Sequence, residues 1–286
     1  MPGVILVNPT SGPRKTSVAE LAERFAGHRV EECEPGALGR RIRGALAAGD
    51  ADFVGVAGGD GSLRLVADEL AGTDVPLLPV PTGTRNHFAR DLGIHDVDAA
   101  ARAAGNGRRR RVDVGRVNGR CFVNNSSIGL YPKIVVRREA RERHLRKGVA
   151  SVVAGYEQLR HGRRLRVAVD GRSRWAWIVF VGNGRYGEGL LDLADRESLE
   201  GHVLDVRVVR ADQPLARLRV VAAIVAGRLA RSPLVLQRSC QTLALEAHQP
   251  TIEVALDGEV EELDLPLHYE SVPQALTVLV PPGDTG

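Results

Sequence analysis

The stretch VAGGDGSLR, residues 56–64, follows an apolar run (Phe53, Val54, Val56) and precedes Leu63, Val66 and Leu70. Gly58, Gly59 and Gly61 carry no side chain, whereas Asp60, among them, keeps a carboxylate. The apolar residues before the glycines read as a strand, and those after them recur at helical spacing. Glycines between a strand and a helix let a ligand touch the backbone. The helix start offers N–H groups with no intrahelical partner and the positive end of the helix dipole. Together these features suit a phosphate. A carboxylate in that place faces a cation or an attacking hydroxyl, or else serves as the first half of a common Asp-Gly turn.

Outward from this point, the first 110 or so residues alternate strand and helix patterns. Val4–Val7, Phe53–Ala57 and Val75–Val80 read as buried strands. Val18, Leu21, Ala22 and Phe25 share one helical face, as do Leu38, Ile42, Ala45 and Leu46. Alternation of this kind predicts a parallel sheet covered on both faces. From Arg111 onward strands dominate: 112–117, 121–124, 165–169, 175–181, 203–209, 243–245, 252–256 and 276–280. Two helices, near Leu145–Leu159 and Leu215–Leu229, interrupt them. The expected architecture is an α/β domain over residues 1–118 and a mostly antiparallel domain over 119–286. The last strand is a candidate to return to the first domain.

The totals narrow the function classes. With 43% hydrophobic and 26% charged residues among 286, the chain can build a substantial core. A formal charge of +4 favours an anionic partner, though few aromatics and no binding module accompany Arg108–Arg111, so nucleic acid is not expected. Cys33, Cys121 and Cys240 lie far apart with no C-x-x-C, which predicts neither disulfides nor a zinc site and suits a cytoplasmic setting. Neither the MPGVILVNP start nor the longest apolar runs, 175–181 and 220–226, resembles a leader or a membrane span. Any contact with a membrane is therefore expected to be peripheral, at its inner face. Arginines from Arg137 to Arg166 form a candidate surface for anionic lipid, or else an ordinary solvated face.

Two further loops accompany the glycines. The first strand runs into NPTSG (Asn8–Gly12), and the strand near 75–80 runs into PTGTRNHFARDLGI (Pro81–Ile94). Three such loops after three parallel strands would gather at the carboxyl edge of one sheet, where open α/β sheets bind ligands.

This set resembles the catalytic domain shared by diacylglycerol kinases, sphingosine and ceramide kinases and bacterial soluble lipid kinases. The resemblance extends through VDVGRVNGRCFVNNSSIGLY (Val112–Tyr131), FVGNGRY (Phe180–Tyr186) and LDGE (Leu256–Glu259), and so covers nearly the whole chain. It implies a fold like NAD kinase and phosphofructokinase in the first domain, a β-sandwich second domain and an active site in the interdomain cleft. It also implies transfer of the ATP γ-phosphate to a lipid hydroxyl such as that of diacylglycerol. By that resemblance Asn8, Ser11, Gly12, Gly58, Gly59, Gly61, Ser62, Gly83 and Thr84 would hold ATP. Asn86 would brace its loop or touch the nucleotide, and Asp60 would stand at the phosphate and Mg²⁺ side.

The acidic catalytic pair of the family would correspond to Asp257 and Glu259. Taken by itself, Asp-Gly between apolar runs is also a favoured hairpin turn. Which carboxylate would take the proton from the hydroxyl is open. On a regular strand the two would share a face, whereas a turn at Gly258 would separate them.

The chain departs from the family pattern in two places. A glycine-rich run and P-x-A after F-V-G-N are replaced by Gly187–Leu190. The D-G-x-L-D-V stretch, whose aspartate and nearby carbonyls hold a structural Mg²⁺, appears as LEGHVLDV (Leu199–Val206). Glu200 is one candidate metal ligand there and Asp205 the other, although Asp205 reads better as a surface carboxylate at a strand end. Two other readings stand beside the lipid kinase: an NAD kinase-like phosphotransferase, and a catalytically silent nucleotide or lipid binder. A second copy of the chain, as a homodimer, is a candidate partner.

Overall fold

The computed structural model describes residues 2–9, 11, 17–49, 51–129, 164–169, 171–187, 196–216, 219–220, 223 and 232–282. The chain divides into two compact units. One contains residues 1–114, 120–123 and 272–286; the other contains 115–119 and 124–271.

In the first unit β1 (Val4–Val7) leads to α1 (Val18–Arg24), β2 (Arg29–Glu32), α2 (Pro35–Ala48), β3 (Val54–Gly58), α3 (Asp60–Leu70), β4 (Leu77–Pro81), α4 (His87–Asp91) and α5 (Val97–Asn106). β5 (Arg108–Val117) and the short β6 (Arg120–Phe122) follow. Local chemistry sets the helix ends. Ser17 accepts a hydrogen bond from the Glu20 N–H, and Asp96 accepts one from Ala99. Pro35 opens α2, and Gly49, in the left-handed region at φ 63°, closes it.

The sheet order β2–β1–β3–β4 is parallel throughout, with Ile5 opposite both Val30 and Gly55. Ile5, Leu6, Val56, Leu78 and Val80 from the strands, and Leu21, Leu38, Ile42, Leu63 and Leu70 from the helices, are at most 1% exposed. Burial of each such side chain stabilises by about 1.5–3 kcal/mol. All four strands point their carboxyl ends the same way, so the three sequence-predicted loops lie at one edge of this sheet.

The second unit is antiparallel. β7 (Asn125–Gly129), β8 (Leu165–Val169), β9 (Arg172–Asn183), β10 (Leu204–Arg210), β11 (Val235–Cys240), β12 (Thr242–Ala247), β13 (Thr251–Leu256) and β14 (Glu259–Asp264) pair in the order β14–β13–β7–β9–β8–β12. β10 lies between β9 and β11. β15 (Leu267–Val280) starts here beside β12 and ends in the first unit, with Val278 parallel to Leu77 of β4.

Val123 and Asn124 interrupt the expected 121–124 strand, so that only Cys121 and Phe122 are strand, at the end of β6, and β7 begins at Asn125. The expected 145–159 helix and the arginines from 137 to 163 lie outside the described residues. Of the 215–229 helix only Ala216, Arg219, Val220 and Ala223 are described as helical.

Candidate active site

The first unit brings its three loops into contact. Asn8, just past β1, donates from Nδ2 to Ser62 Oγ at 2.8 Å, which ties the first loop to the start of α3. The Ser11 N–H returns to the Asn8 carbonyl at 3.2 Å and tightens that loop. Gly59 and Gly83 meet backbone to backbone: a Cβ on Gly83 would lie 2.5 Å from Gly59 Cα and 3.0 Å from Gly59 N. A Cβ on Gly59 would lie 3.7 Å from Ser11 Oγ, so all three loops meet at this glycine. The glycines are there for close approach rather than for positive φ; Gly59, the N-cap of α3, is extended at φ −94°.

Gly61 and Ser62 sit in the first turn of α3, where N–H groups have no intrahelical carbonyl and the dipole favours an anion. Thr84 is exposed at this edge. Gly12, also expected here, lies outside the described residues.

Asp60 faces the third loop. Its Oδ2 accepts from the His87 N–H and its Oδ1 from the Phe88 N–H, each at 3.3 Å. Asp60 thus caps α4 in addition to any role toward a ligand, and it locks the second loop onto the third. Asn86 adopts the left-handed region at φ 50° and donates from Nδ2 to the Gly83 carbonyl at 2.7 Å. This bond ties Asn86 to the start of its own loop.

In the second unit Leu256 pairs with Glu259, which leaves Asp257-Gly258 as a two-residue hairpin turn with φ of 49° and 97°. Both signs are those of the turn that suits the twist of a β-hairpin. The turn separates the two candidate carboxylates: Glu259 is exposed at the start of β14, whereas Asp257 is folded back onto the start of β7. Asp257 Oδ1 accepts from the Asn124 and Asn125 N–H groups at 2.8 and 2.9 Å, and its own N–H reaches the Asn125 carbonyl at 2.9 Å. The stretch is a hairpin turn, and that turn folds the Asp257 carboxylate onto the Asn124 and Asn125 N–H groups. The Asn124-Asn125 donors were not legible beforehand, because backbone donors leave no side-chain signature.

The metal expectation meets a different arrangement. Glu200 is exposed, and its N–H bonds to Ser198 Oγ at 3.0 Å. Asp205, expected at the surface, is 1% exposed, because β10 runs between two strands instead of along an edge. Asp205 Oδ2 accepts from Arg207 Nη2 at 2.6 Å and Nε at 3.0 Å, and Arg207 is likewise 1% exposed. Among the described residues no three His, Cys, Asp or Glu side chains come together as a metal site. With Asp205 already paired to the buried Arg207 guanidinium, the described residues do not fit the structural Mg²⁺. The sequence did hold a signal for this pair: an arginine two residues from an aspartate in the apolar strand LDVRVV shares a face with it.

Residues 2–117 match the diacylglycerol kinase catalytic domain family, and residues 133–280 match the YegS C-terminal NAD kinase beta sandwich-like domain. A diacylglycerol kinase of Mycobacterium tuberculosis (strain H37Rv) is 31% identical over 85% of this chain and 81% of its own. A crystal structure of a diacylglycerol kinase from Bacillus anthracis shares the fold, with a TM-score of 0.68 and 21% identity over 98% of this chain and 97% of the other. An NAD kinase from Archaeoglobus fulgidus in complex with ATP shares it more distantly, with a TM-score of 0.51 and 13% identity over 97% and 93%. The chain belongs to the lipid kinase family that joins a diacylglycerol kinase catalytic domain to a YegS-type β-sandwich domain.

Proposed function

We propose that the protein is an ATP-dependent kinase that phosphorylates the hydroxyl of a lipid alcohol, with diacylglycerol as the acceptor. The packing of three loops around the start of α3 is the observation that carries this reading. Ser11, Gly59, Gly61, Ser62, Gly83 and Thr84 line one edge of the parallel sheet and hold the triphosphate, and Asn8 fixes Ser62 for that task. ATP enters as its Mg²⁺ complex, and Asp60 is the carboxylate of this edge that suits the cation. Phosphoryl transfer depends mainly on positioning and charge stabilisation.

The acceptor oxygen forms a bond to the γ-phosphorus, and the bond from that phosphorus to the β,γ-bridging oxygen breaks. ADP leaves, and the hydroxyl proton passes to a carboxylate. We assign the proton to Asp257 instead of Glu259, since two amide N–H groups fix the orientation of the Asp257 carboxylate and Glu259 is exposed.

No described helix is long and apolar enough to cross a membrane. A net charge of +4 fits peripheral contact with an anionic lipid surface, where each basic residue contributes about 1 kcal/mol.

The test uses labelled ATP, Mg²⁺ and vesicles carrying diacylglycerol, monoacylglycerol, ceramide or sphingosine, with NAD⁺ as a soluble acceptor. Labelled phosphatidic acid is expected, together with its loss in Asp257→Asn. Label on NAD⁺ alone, or on no acceptor with folded protein that still binds ATP, would overturn the proposal in favour of an NAD kinase or a silent binder respectively.

A further inference from the structure

Arg207 is the largest side chain buried below 2% exposure in the molecule's described residues, and oxygens surround its charge. Nη2 donates to the Tyr186 and Gly187 carbonyls at 2.7 and 2.8 Å as well as to Asp205 Oδ2. Asp205 also takes the Tyr186 N–H at 3.2 Å and Gln237 Nε2 at 3.2 Å. One carboxylate and two main-chain carbonyls around a positive centre make the kind of oxygen set that hard divalent cations use.

The same cluster reaches the hairpin carboxylate. Tyr186 gives its N–H to Asp205 and its carbonyl to Arg207, and its hydroxyl donates to the Asn124 carbonyl at 2.9 Å. The Asn124 N–H in turn holds Asp257. Gly182 leaves room for the Tyr186 ring, since a Cβ there would lie 2.5 Å from Tyr186 Cε2. Arg196 closes the group from the other side: it donates to Asn124 Oδ1 at 2.5 Å and stacks over the Tyr186 ring at 5.2 Å. All of these residues belong to one unit.

We propose that the Arg207 guanidinium is a resident cation of the second unit, in the role the family resemblance gives to a structural Mg²⁺, and that through Tyr186 and Asn124 it is a positioning residue for Asp257. The guanidinium suits this place. It stays charged when buried, and its planar fork meets a carboxylate and carbonyls at once, which a lysine ammonium on a flexible stem does less well. The covalently attached cation makes this part of the fold independent of divalent-ion supply.

Two arms test the inference, and only the second rests on the proposed function. In the first, the full chain without nucleotide is melted in EDTA and then with Mg²⁺ or Ca²⁺. The native chain is expected to show the same midpoint in all three, because a cation bound only by the folded state would raise it. Arg207→Ala leaves the oxygen cage without its charge. It is expected to melt lower in EDTA and to recover part of the loss with Mg²⁺ or Ca²⁺. Arg207→Lys keeps a charge and is expected to stay folded and indifferent to EDTA. A native midpoint that climbs with Mg²⁺, or an Arg207→Ala chain that gains nothing from either cation, folded or not, overturns the resident-cation role.

The second arm uses Tyr186→Phe, which removes only the hydroxyl that reaches Asn124. Misaimed reacting groups lower turnover with little effect on donor binding, so kcat is expected to fall on the order of tenfold while KM for ATP holds. Arg207→Lys is expected to move in the same direction. Unchanged kcat in Tyr186→Phe refutes the positioning role and leaves the first arm standing. If Asp257→Asn is also fully active, it is the assignment of Asp257 that fails.

Discussion

At the scale of single residues, the meeting of the three loops depends on an absence. Gly83 and Gly59 touch through their backbones, and a Cβ on Gly83 would also lie 2.9 Å from Asn86 Oδ1. Backbone atoms cannot swing aside as a side-chain end can, so Gly83→Ala must part the second and third loops. The expected result is a folded chain whose ATP affinity, read by calorimetric titration, falls at least about tenfold, or about 1.4 kcal/mol. Gly44→Ala is the control. Gly44 is exposed within α2 with nothing near its missing Cβ, and alanine there should stabilise by about 1 kcal/mol. His28 supplies a second residue-scale expectation. Its Nδ1 accepts from the Gly3 N–H at 3.0 Å, and burial lowers its pKa below the usual 6.5, with Asp52 opposing in part. The unfolded chain then binds the proton more readily than the folded one. Stability is therefore full above 6.5 and falls as pH drops from there through the lower folded value. Urea midpoints between about pH 7.5 and 5 should show this acid loss in the native chain and less of it in His28→Asn; parallel curves would exclude His28 as its source.

At the scale of elements, legibility followed burial pattern. β1 was readable to the residue because its four residues are all buried and apolar, and α2 and α3 were readable because their apolar faces repeat at helical spacing. β2 was not readable: Arg29–Glu32 is an edge strand with three charged residues, held by pairing with β1 and not by any apolar face. α5 escaped for a different reason. Its buried stripe is Ala99, Ala100 and Ala103, which carries little hydrophobic contrast, although the Asp96 cap and the alanine-rich run were helix signals. β11 (VLQRSC) and β14 (EVEELD) carry polar residues on both faces and obtain their register from β10 and β13. The candidate site divided the same way. Glycine loops and a D-G-E advertise themselves as strings, so Gly58–Ser62, Gly83 and Asp257 were named in advance. The donors to Asp257 and the inward turn of Asp205 depend on pairing partners far along the chain, which one-dimensional spacing does not encode.

At the scale of the whole molecule, the order of the chain and the order of the units disagree. The first unit needs residues from the very end. Val272–Val280 of β15 supply Leu276 and Val278, both 0% exposed, and Val280 at 3%. The same segment donates the Gln274 N–H to Asp113 at 2.9 Å and receives the Gly72 N–H at the Ala275 carbonyl at 2.7 Å. At about 1.5–3 kcal/mol for each buried Leu or Val, the three apolar residues together contribute roughly 5–9 kcal/mol. That is comparable to the entire stability of an ordinary domain, about 5–15 kcal/mol. A chain ending at Ser271 should therefore leave the first unit unable to hold its fold, even though the six strands that begin in it, β1 to β6, and its five described helices remain in the sequence. Limited proteolysis should then cut within residues 1–114, and ATP should no longer raise the melting midpoint, as ligand linkage requires of a unit that has lost its native state. A synthetic peptide of residues 272–286, added in excess, should restore both protection and the ATP response, because β15 joins β4 by main-chain pairing and apolar burial that do not require a covalent link. Protease resistance of residues 1–114 in the truncated chain without the peptide would show that the first unit is complete without its last strand.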